Sequence, residues 1–422
     1  MPAYIENISV LEELIWRKVH ETPAIDAYTN LYDLRFGGNG FVWGLDNLLT
    51  SDQLVAEFFR NAPRPASERL THAGFTALDK AAQADLVWEY LFRRRSPLSE
   101  AARGVLTTLG LLNLDPNRRD LAAYRETFSH YELQPHLRRV LKIANLKAVV
   151  MNNDPLGDTE REVWNHDTSR TEPFLASLGL DGLLSWEMSQ PILQNQGFAV
   201  ERELEKESYD GVIKFLEHWL QKTNAVYFSL SVNGGFDLFA KKNSTMRLMR
   251  KCILPFCERH RVPLALVIGA QYDSDSIGAA ADAAALVSVE ELCASFPDNK
   301  FLVAALSSHN QRLLCGVAHR FTNLMPFGSA WNTPSVMQGT MKIGLELLGD
   351  SFIPHYSGAA VLEQLLYRWA HARWTLGKTL QQQYLDLPRG TVKTGGYDFL
   401  NALFNLAQNG YKWRRLPAAY GR

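Results

Sequence analysis

Tyr28 and Asn30, Asn152, Asn153 and Asp154, Ser231 and Asn233, Gln271, Tyr272 and Asp273, Ser308 and His309, Trp331 and Asn332, and His355, Tyr356 and Ser357 each close or follow a short apolar run. In a parallel α/β protein such positions collect at one end of the sheet, where chemistry is done. His309 and His355 are candidate acid–base residues, because an imidazole changes charge near neutral pH. With Asp273 they could carry a proton through an enediol-type shift, and Tyr28 could serve as an acid. Asn30, Asn153, Gln271, Tyr272, Trp331 and Tyr356 are candidate substrate contacts. Each also has a plainer reading: His309 at a helix start can cap backbone, His355 can belong to a packed wall, and Tyr28 can fill volume. Asp273 and Asp275 in QYDSDS read as solvated turn residues rather than a metal site. There is no H-x-H, H-E-x-x-H, zinc-spaced cysteine pair or G-x-S-x-G. The glycines of Phe36-Gly37-Gly38-Asn39-Gly40 lack the strand, helix and lysine of a phosphate cradle and read as a loop.

The elements that must hold these residues show in the pattern. Strand-like runs are AIDAY (24–28), AVVMN (148–152), AVYFSLSV (225–232), PLALVIGA (263–270), KFLVAAL (300–306), NLMPFG (323–328) and SFIPH (351–355). Between the later runs lie helical stripes at 206–222, 246–260, 289–296, 310–321 and 335–348. In the first of these, Tyr209, Val212, Ile213, Leu216, Trp219 and Leu220 recur at three- and four-residue steps. Strand and helix alternate, so the connections are parallel crossovers, and a doubly wound sheet or a (β/α)8 barrel follows. About 120 residues separate the first two runs, too many for a loop. They read as helices, with Ser96-Pro97 and Ser99-Glu100 marking one start. The expectation is one α/β domain over 1–422, most simply a TIM barrel with an all-helical insertion at 45–140 that walls the strand ends.

Composition narrows the function. Lys+Arg number 44 against 45 Asp+Glu, with no basic block, which argues against nucleic acid as a partner. No stretch of about 18 apolar residues and no signal-like N-terminus appear, so a cytoplasmic, non-membrane protein is expected. Cys252, Cys257, Cys293 and Cys315 read as free buried thiols. The tryptophans, and His218, His319 and His371, fall on helix stripes and strand flanks and read as core or surface residues. The basic tail YKWRRLPAAYGR reads as a frayed terminus or a contact in a homo-oligomer.

Long stretches of the chain resemble the uronate isomerases of the amidohydrolase superfamily, in their shorter bacterial branch. They are WGLDNLLTSDQLVAEFFR, QADLVWEYLFRRRSPLSEAARGVLTTLGLLNLDPNRRDL, VVMNNDP, NKFLVAALSSHNQRLL and ELLGDSFIPHYSGAAVLEQLLYRWAHAR, and the resemblance runs from about residue 22 to 405. It implies a distorted (β/α)8 barrel and a family activity interconverting D-glucuronate and D-fructuronate on a divalent metal.

The sequence departs from that family where the family does its chemistry. The family's H-T-H on strand one aligns with Tyr28-Thr29-Asn30, so two imidazole ligands are replaced. Its H-S-D-A-R on strand eight aligns with Tyr356-Ser357-Gly358-Ala359-Ala360, removing the Asp ligand and the Arg that faces the substrate carboxylate. Its insertion Tyr is Ser51, its third-strand basic residue is Gly179, and its Arg-Glu after strand six is Ser308-His309. Trp331 remains of a family tryptophan pair. Tyr and Asn are poor ligands for Zn2+ or Mn2+, so no metal and no other cofactor is expected. Three readings follow: a repurposed, metal-independent enzyme acting on a small polar or sugar-acid-like molecule; an inactive homologue that binds a ligand or a partner protein; and a residual glucuronate isomerase.

Overall fold

Buried, mostly apolar residues of β-forming type build seven parallel strands in sequential order: β1 (Ala24–Thr29), β2 (Leu146–Asn153), β3 (Phe174–Gly179), β4 (Phe228–Val232), β5 (Leu264–Ile268), β6 (Phe301–Ala305) and β7 (Leu324–Pro326). In this computed structural model residues 8–61, 70–169, 172–232, 236, 243–269, 284–328 and 333–385 are described. Phe228 pairs with Leu264, Leu264 with Phe301 and Phe301 with Leu324, so one row of large residues runs across four strands.

SFIPH reads as an eighth strand, but only Ile353 makes a β-bridge, to Phe327. Pro354 has no N–H to give a ladder, and Gly358 takes φ +59, which ends extended pairing. The segment still links the two edges of the sheet. Gly328 N–H donates to Ile353 C=O (2.7 Å) on the β7 side, while Gly358 N–H donates to Tyr28 C=O (2.9 Å) and Asn30 N–H to Ala359 C=O (2.8 Å) on the β1 side. The result is a distorted α/β barrel. β3 is absent from the runs read in the sequence because Ala176, Ser177 and Gly179 dilute its apolar signal, although five of its six residues are buried.

Barrel and helix layers form separate cores. Inside the barrel, Ile25, Val150, Tyr227, Leu302, Phe327, Ile353 and Tyr356 pack together. Outside it, strand residues such as Val149, Leu178, Leu230, Leu266 and Val303 meet the helices. The helical stripe over 206–222 is the helix Lys206–Thr223, with Val212, Leu216 and Trp219 buried. Helix Ile8–Glu21 packs with Pro334–Leu348 and Gln364–Leu385 in a third cluster. All four cysteines are buried and unpaired, and burial pushes the Cys315 thiol up to about 11.

Between β1 and β2 the chain is helical, including Leu45–Leu49, Asp52–Asn61, Lys80–Trp88, Glu100–Leu111, Leu121–Ser129 and Leu133–Ala144. Caps set the ends: Asp79, Ser99 and Asp120 accept hydrogen bonds from the N–H groups of Ala82, Ala102 and Ala123. Several contacts lock this region onto the helix Gln364–Leu385 and the residue before it. Gly104 lies so close to Tyr367 that a Cβ there would fall 2.5 Å from the ring, so glycine permits the contact. Buried Glu363 accepts from His136 Nε2 (2.8 Å) with one oxygen and from Gly44 N–H (2.9 Å) with the other. Those contacts hold the insertion and the final helix over the strand ends.

Candidate functional site

A cavity of about 680 Å³ opens at the C-terminal ends of the strands. Tyr28 and Asn30 from the end of β1, Ser231 from β4, Val267 and Gly269 from the end of β5, Leu306 after β6, and Tyr356, Ser357 and Gly358 from the eighth segment line it. The helical region adds Asn47, Thr50, Ser51, Asp52, Gln53 and Lys80, and the last helix adds Gln364 and Arg368. Residues distant in sequence meet here because parallel crossovers return every strand to the same end.

Aromatic rings fill the floor. Tyr28 packs on Tyr356 with centroids 5.3 Å apart, Tyr356 on Phe327 at 5.0 Å, and Phe327 on Tyr227 at 5.9 Å. Gly328, at φ +63, makes room for this stack, since a Cβ there would come within 2.3 Å of the Tyr356 ring. Polar atoms beneath are tied up internally: Tyr227 Oη donates to Ala27 C=O (2.7 Å), Asn152 Nδ2 to Tyr28 Oη (3.3 Å), and Ser229 Oγ to Asn152 Oδ1 (2.8 Å). Burial pushes the Tyr356 phenol well above its ordinary value, so it stays protonated at neutral pH.

The candidate residues separate into three groups. Tyr28, Asn30 and Tyr356 line the cavity. His309, His355 and Asn153 do not share it. His309 is exposed on the second residue of helix Ser308–Arg320. His355, in the eighth segment, is buried edge-on to Trp369 at 5.0 Å, and neither ring nitrogen has a hydrogen-bond partner among the described residues. Burial, with Arg368 and Arg373 nearby, lowers its pKa to about 3, which keeps the imidazole neutral. Asn153 is buried and turned away toward Glu160, to which its Nδ2 donates (3.2 Å), because side chains alternate along β2 and Asn152 takes the inward position. Gln271, Tyr272, Asp273 and Trp331, with Asn233, Asp275 and Asn332, lie outside the described residues.

Several contributors were not singled out in the sequence, among them Lys80, Gln364 and Arg368. Lys80 is exposed at the rim and donates to Thr50 Oγ1 (3.3 Å). Gln364 Oε1 accepts from the N–H groups of Ala360 (2.8 Å) and Val361 (3.2 Å). Arg368, one turn on, is 7% exposed, with Nε donating to Tyr367 Oη (3.2 Å) and Nη1 to Ser357 C=O. A basic residue one turn after a buried Gln, just past the last strand, was the available signal.

Asp26 braces the site from outside. Its buried carboxylate accepts from Ser357 N–H (2.9 Å) and Trp369 Nε1 (2.8 Å), and burial raises its pKa. Among the described residues no group of three or more His, Cys, Asp or Glu side chains is arranged to hold a metal ion. Among the described residues the cavity offers phenols, amides, hydroxyls, the Asp52 carboxylate and Lys80 ammonium at its rim and one buried guanidinium, a set suited to hydrogen-bonding a polar molecule. Among the described residues no helix is long and apolar enough to cross a membrane.

No family model and no curated protein matches the chain. Solved structures do. A uronate isomerase from Bacillus halodurans is 35% identical, superposes with a TM-score of 0.90, and is covered over 97% of each chain. A uronate isomerase from Thermotoga maritima (10% identity, TM-score 0.72, 98% of each chain) shares the fold. So does a glucuronate isomerase from Caulobacter crescentus (11%, TM-score 0.69, 98% of this chain and 96% of that one). With more than a third of its residues shared over nearly its whole length, and with the same distorted barrel, the chain belongs to the uronate isomerase family.

Proposed function

We propose that this protein is a uronate isomerase-family member that retains the barrel-mouth cavity as a binding site for a small polar molecule and has lost the family's metal-dependent isomerisation. The observation that carries the reading is the floor of the cavity. Tyr28, at the aligned position of a family metal ligand, packs its ring on Tyr356, while about 680 Å³ above them stays open, with polar and apolar groups both in its wall. A site with no ligand to admit would tend to fill entirely, since unfilled space forfeits packing contacts. Tyr28, Asn30 and Gly358 supply a phenol, an amide and a bare backbone where the family holds its metal, and these do not fit a divalent transition metal.

The same geometry weighs against a repurposed, metal-independent enzyme. General acid–base catalysis needs a titrating group within hydrogen-bond reach of the ligand. His355 is walled off and held neutral and His309 lies outside the cavity lining, which leaves Tyr28 as the one of the proposed acid–base residues that faces the cavity among those described. The test is direct. Purified protein, with and without added Mn2+ or Zn2+, should leave D-glucuronate unisomerised in a coupled assay, while a thermal-shift screen of sugar acids and polyols should raise Tm. Turnover that depends on added metal would restore the isomerase. A screen with no shift for any polar ligand would remove the binding reading.

A further inference from the structure

The segment 31–44 carries the chain from β1 to the helices that cover the strand ends, and Asn30 before it and Val42 within it line the cavity. On its outer side it rests on β2 and on the helix Asp158–His166, partly through Arg35, whose guanidinium lies 4.4 Å from the Trp164 ring. One phenol reaches both. Tyr32 Oη lies 2.9 Å from Asn152 C=O and 2.7 Å from Glu160 Oε1.

A phenol has a single hydrogen to donate, while a backbone carbonyl and a carboxylate can only accept. Both contacts are full hydrogen bonds only when Glu160 carries a proton on Oε1 and donates it to Tyr32 Oη, as Tyr32 donates to Asn152 C=O. The other carboxyl oxygen is already taken: Oε2 accepts from Asp154 N–H (2.8 Å) and Asn153 Nδ2 (3.2 Å). The charged neighbours favour the same form. Asp154, after β2, is itself an acid with Asp181 near it, and Arg161, on the helix of Glu160, pairs with Asp158. Arg35, on the segment, is engaged by Asp33 (2.8 Å). Among the described residues no cation makes an ion pair with Glu160, and burial pushes its carboxyl up to about 7. Ionisation draws the phenol hydrogen to the carboxylate, leaves Asn152 C=O without it and buries a charge beside Asp154.

We propose that Glu160 and Tyr32 form a proton-operated latch at the cavity mouth: the neutral acid holds segment 31–44 against β2, and loss of its proton loosens the wall that Asn30 and Val42 contribute. The latch governs access and is independent of which molecule the cavity takes. Its sign follows from the raised value: it is closed below about pH 7 and opens as pH rises through it.

Hydrogen exchange of the full chain, followed by mass spectrometry and corrected for the intrinsic rate at each pH, reads the latch. Between about pH 6 and about pH 8.5, protection of peptides from 31–44 should fall about tenfold or more in the wild type, while the helix Lys206–Thr223 keeps its protection. Glu160→Gln, whose amide can donate to Tyr32 Oη as the protonated acid does, should keep the segment protected at both pH values. Tyr32→Phe should leave it weakly protected at both. Wild-type protection that ignores pH would overturn the proposal, as would an undiminished pH response in Glu160→Gln or full protection in Tyr32→Phe. Loss spread evenly over the whole chain would mean general destabilisation and would overturn it too. If Glu160→Gln does not fold, the wild type and Tyr32→Phe decide.

Discussion

Replacing His355 by Leu tests whether this imidazole belongs to the packed wall or to the cavity. The ring is 3% exposed, stands edge-on to Trp369, has both nitrogens unpartnered, and has its pKa lowered to about 3 from 6.5 by burial and by Arg368 and Arg373. A folded-state pKa below the unfolded value means that the unfolded chain binds the proton first. Stability is therefore full above pH 6.5 and is lost as pH falls toward 3. Each pH unit in that window costs about 1.4 kcal/mol, so at about pH 4.5 the histidine should cost about 2–3 kcal/mol. Leu has nearly the volume of His and no titrating group, and removing two unsatisfied nitrogens should leave stability at neutral pH unchanged or raised. Urea unfolding of both proteins at about pH 7.5 and about pH 4.5 should then show the wild type losing about 2–3 kcal/mol more than His355→Leu. Ligand affinity at neutral pH should be the same in both. Parallel losses in the two proteins would mean that the folded protein protonates His355 freely, and a collapse of ligand affinity would mean that the ring reaches the cavity. Either result refutes the packed-wall assignment.

Glu160 should act in the opposite direction. Burial pushes its carboxyl from 4.5 up to about 7, so the folded state holds the proton longer and stability falls as pH rises through that window. Glu160→Gln should remove up to about 3 kcal/mol of that fall, read as a flatter plot of unfolding free energy against pH, and an unchanged slope would contradict the shift. Gly104→Ala should destabilise by about 1–3 kcal/mol, because its methyl meets the Tyr367 ring; a neutral effect in urea unfolding would show that the insertion and the final helix are not in close contact there.

A parallel α/β sheet was legible from alternation, since β5, β6 and β7 are apolar runs and the helices between the strands carry clear stripes, while the distorted barrel rather than an open sheet came with the family resemblance. β3 was not read from the pattern because Ala176, Ser177 and Gly179 interrupt its large apolar residues, and only the resemblance marked a third strand at Gly179. Tyr28 and Asn30 could be placed because they align with residues that face the pocket in the family the sequence resembles. His355 could not, since the eighth segment is irregular and only Ile353 is bridged, so the two-residue period gives no direction for the ring. Arg368 was hidden for another reason: on a helix whose stripe reads as core, only the closure of that helix over the strand ends turns the residue toward the cavity.

Elemental analysis tests the central claim most directly. Protein expressed in medium supplemented with Zn2+ and Mn2+, then purified without chelator, should carry far less than one equivalent of any transition metal, because on the proposed reading Tyr28, Asn30 and Gly358 stand where the family has its ligands. One tightly held equivalent per chain, lost when Tyr28 and Asn30 are substituted, would contradict that claim.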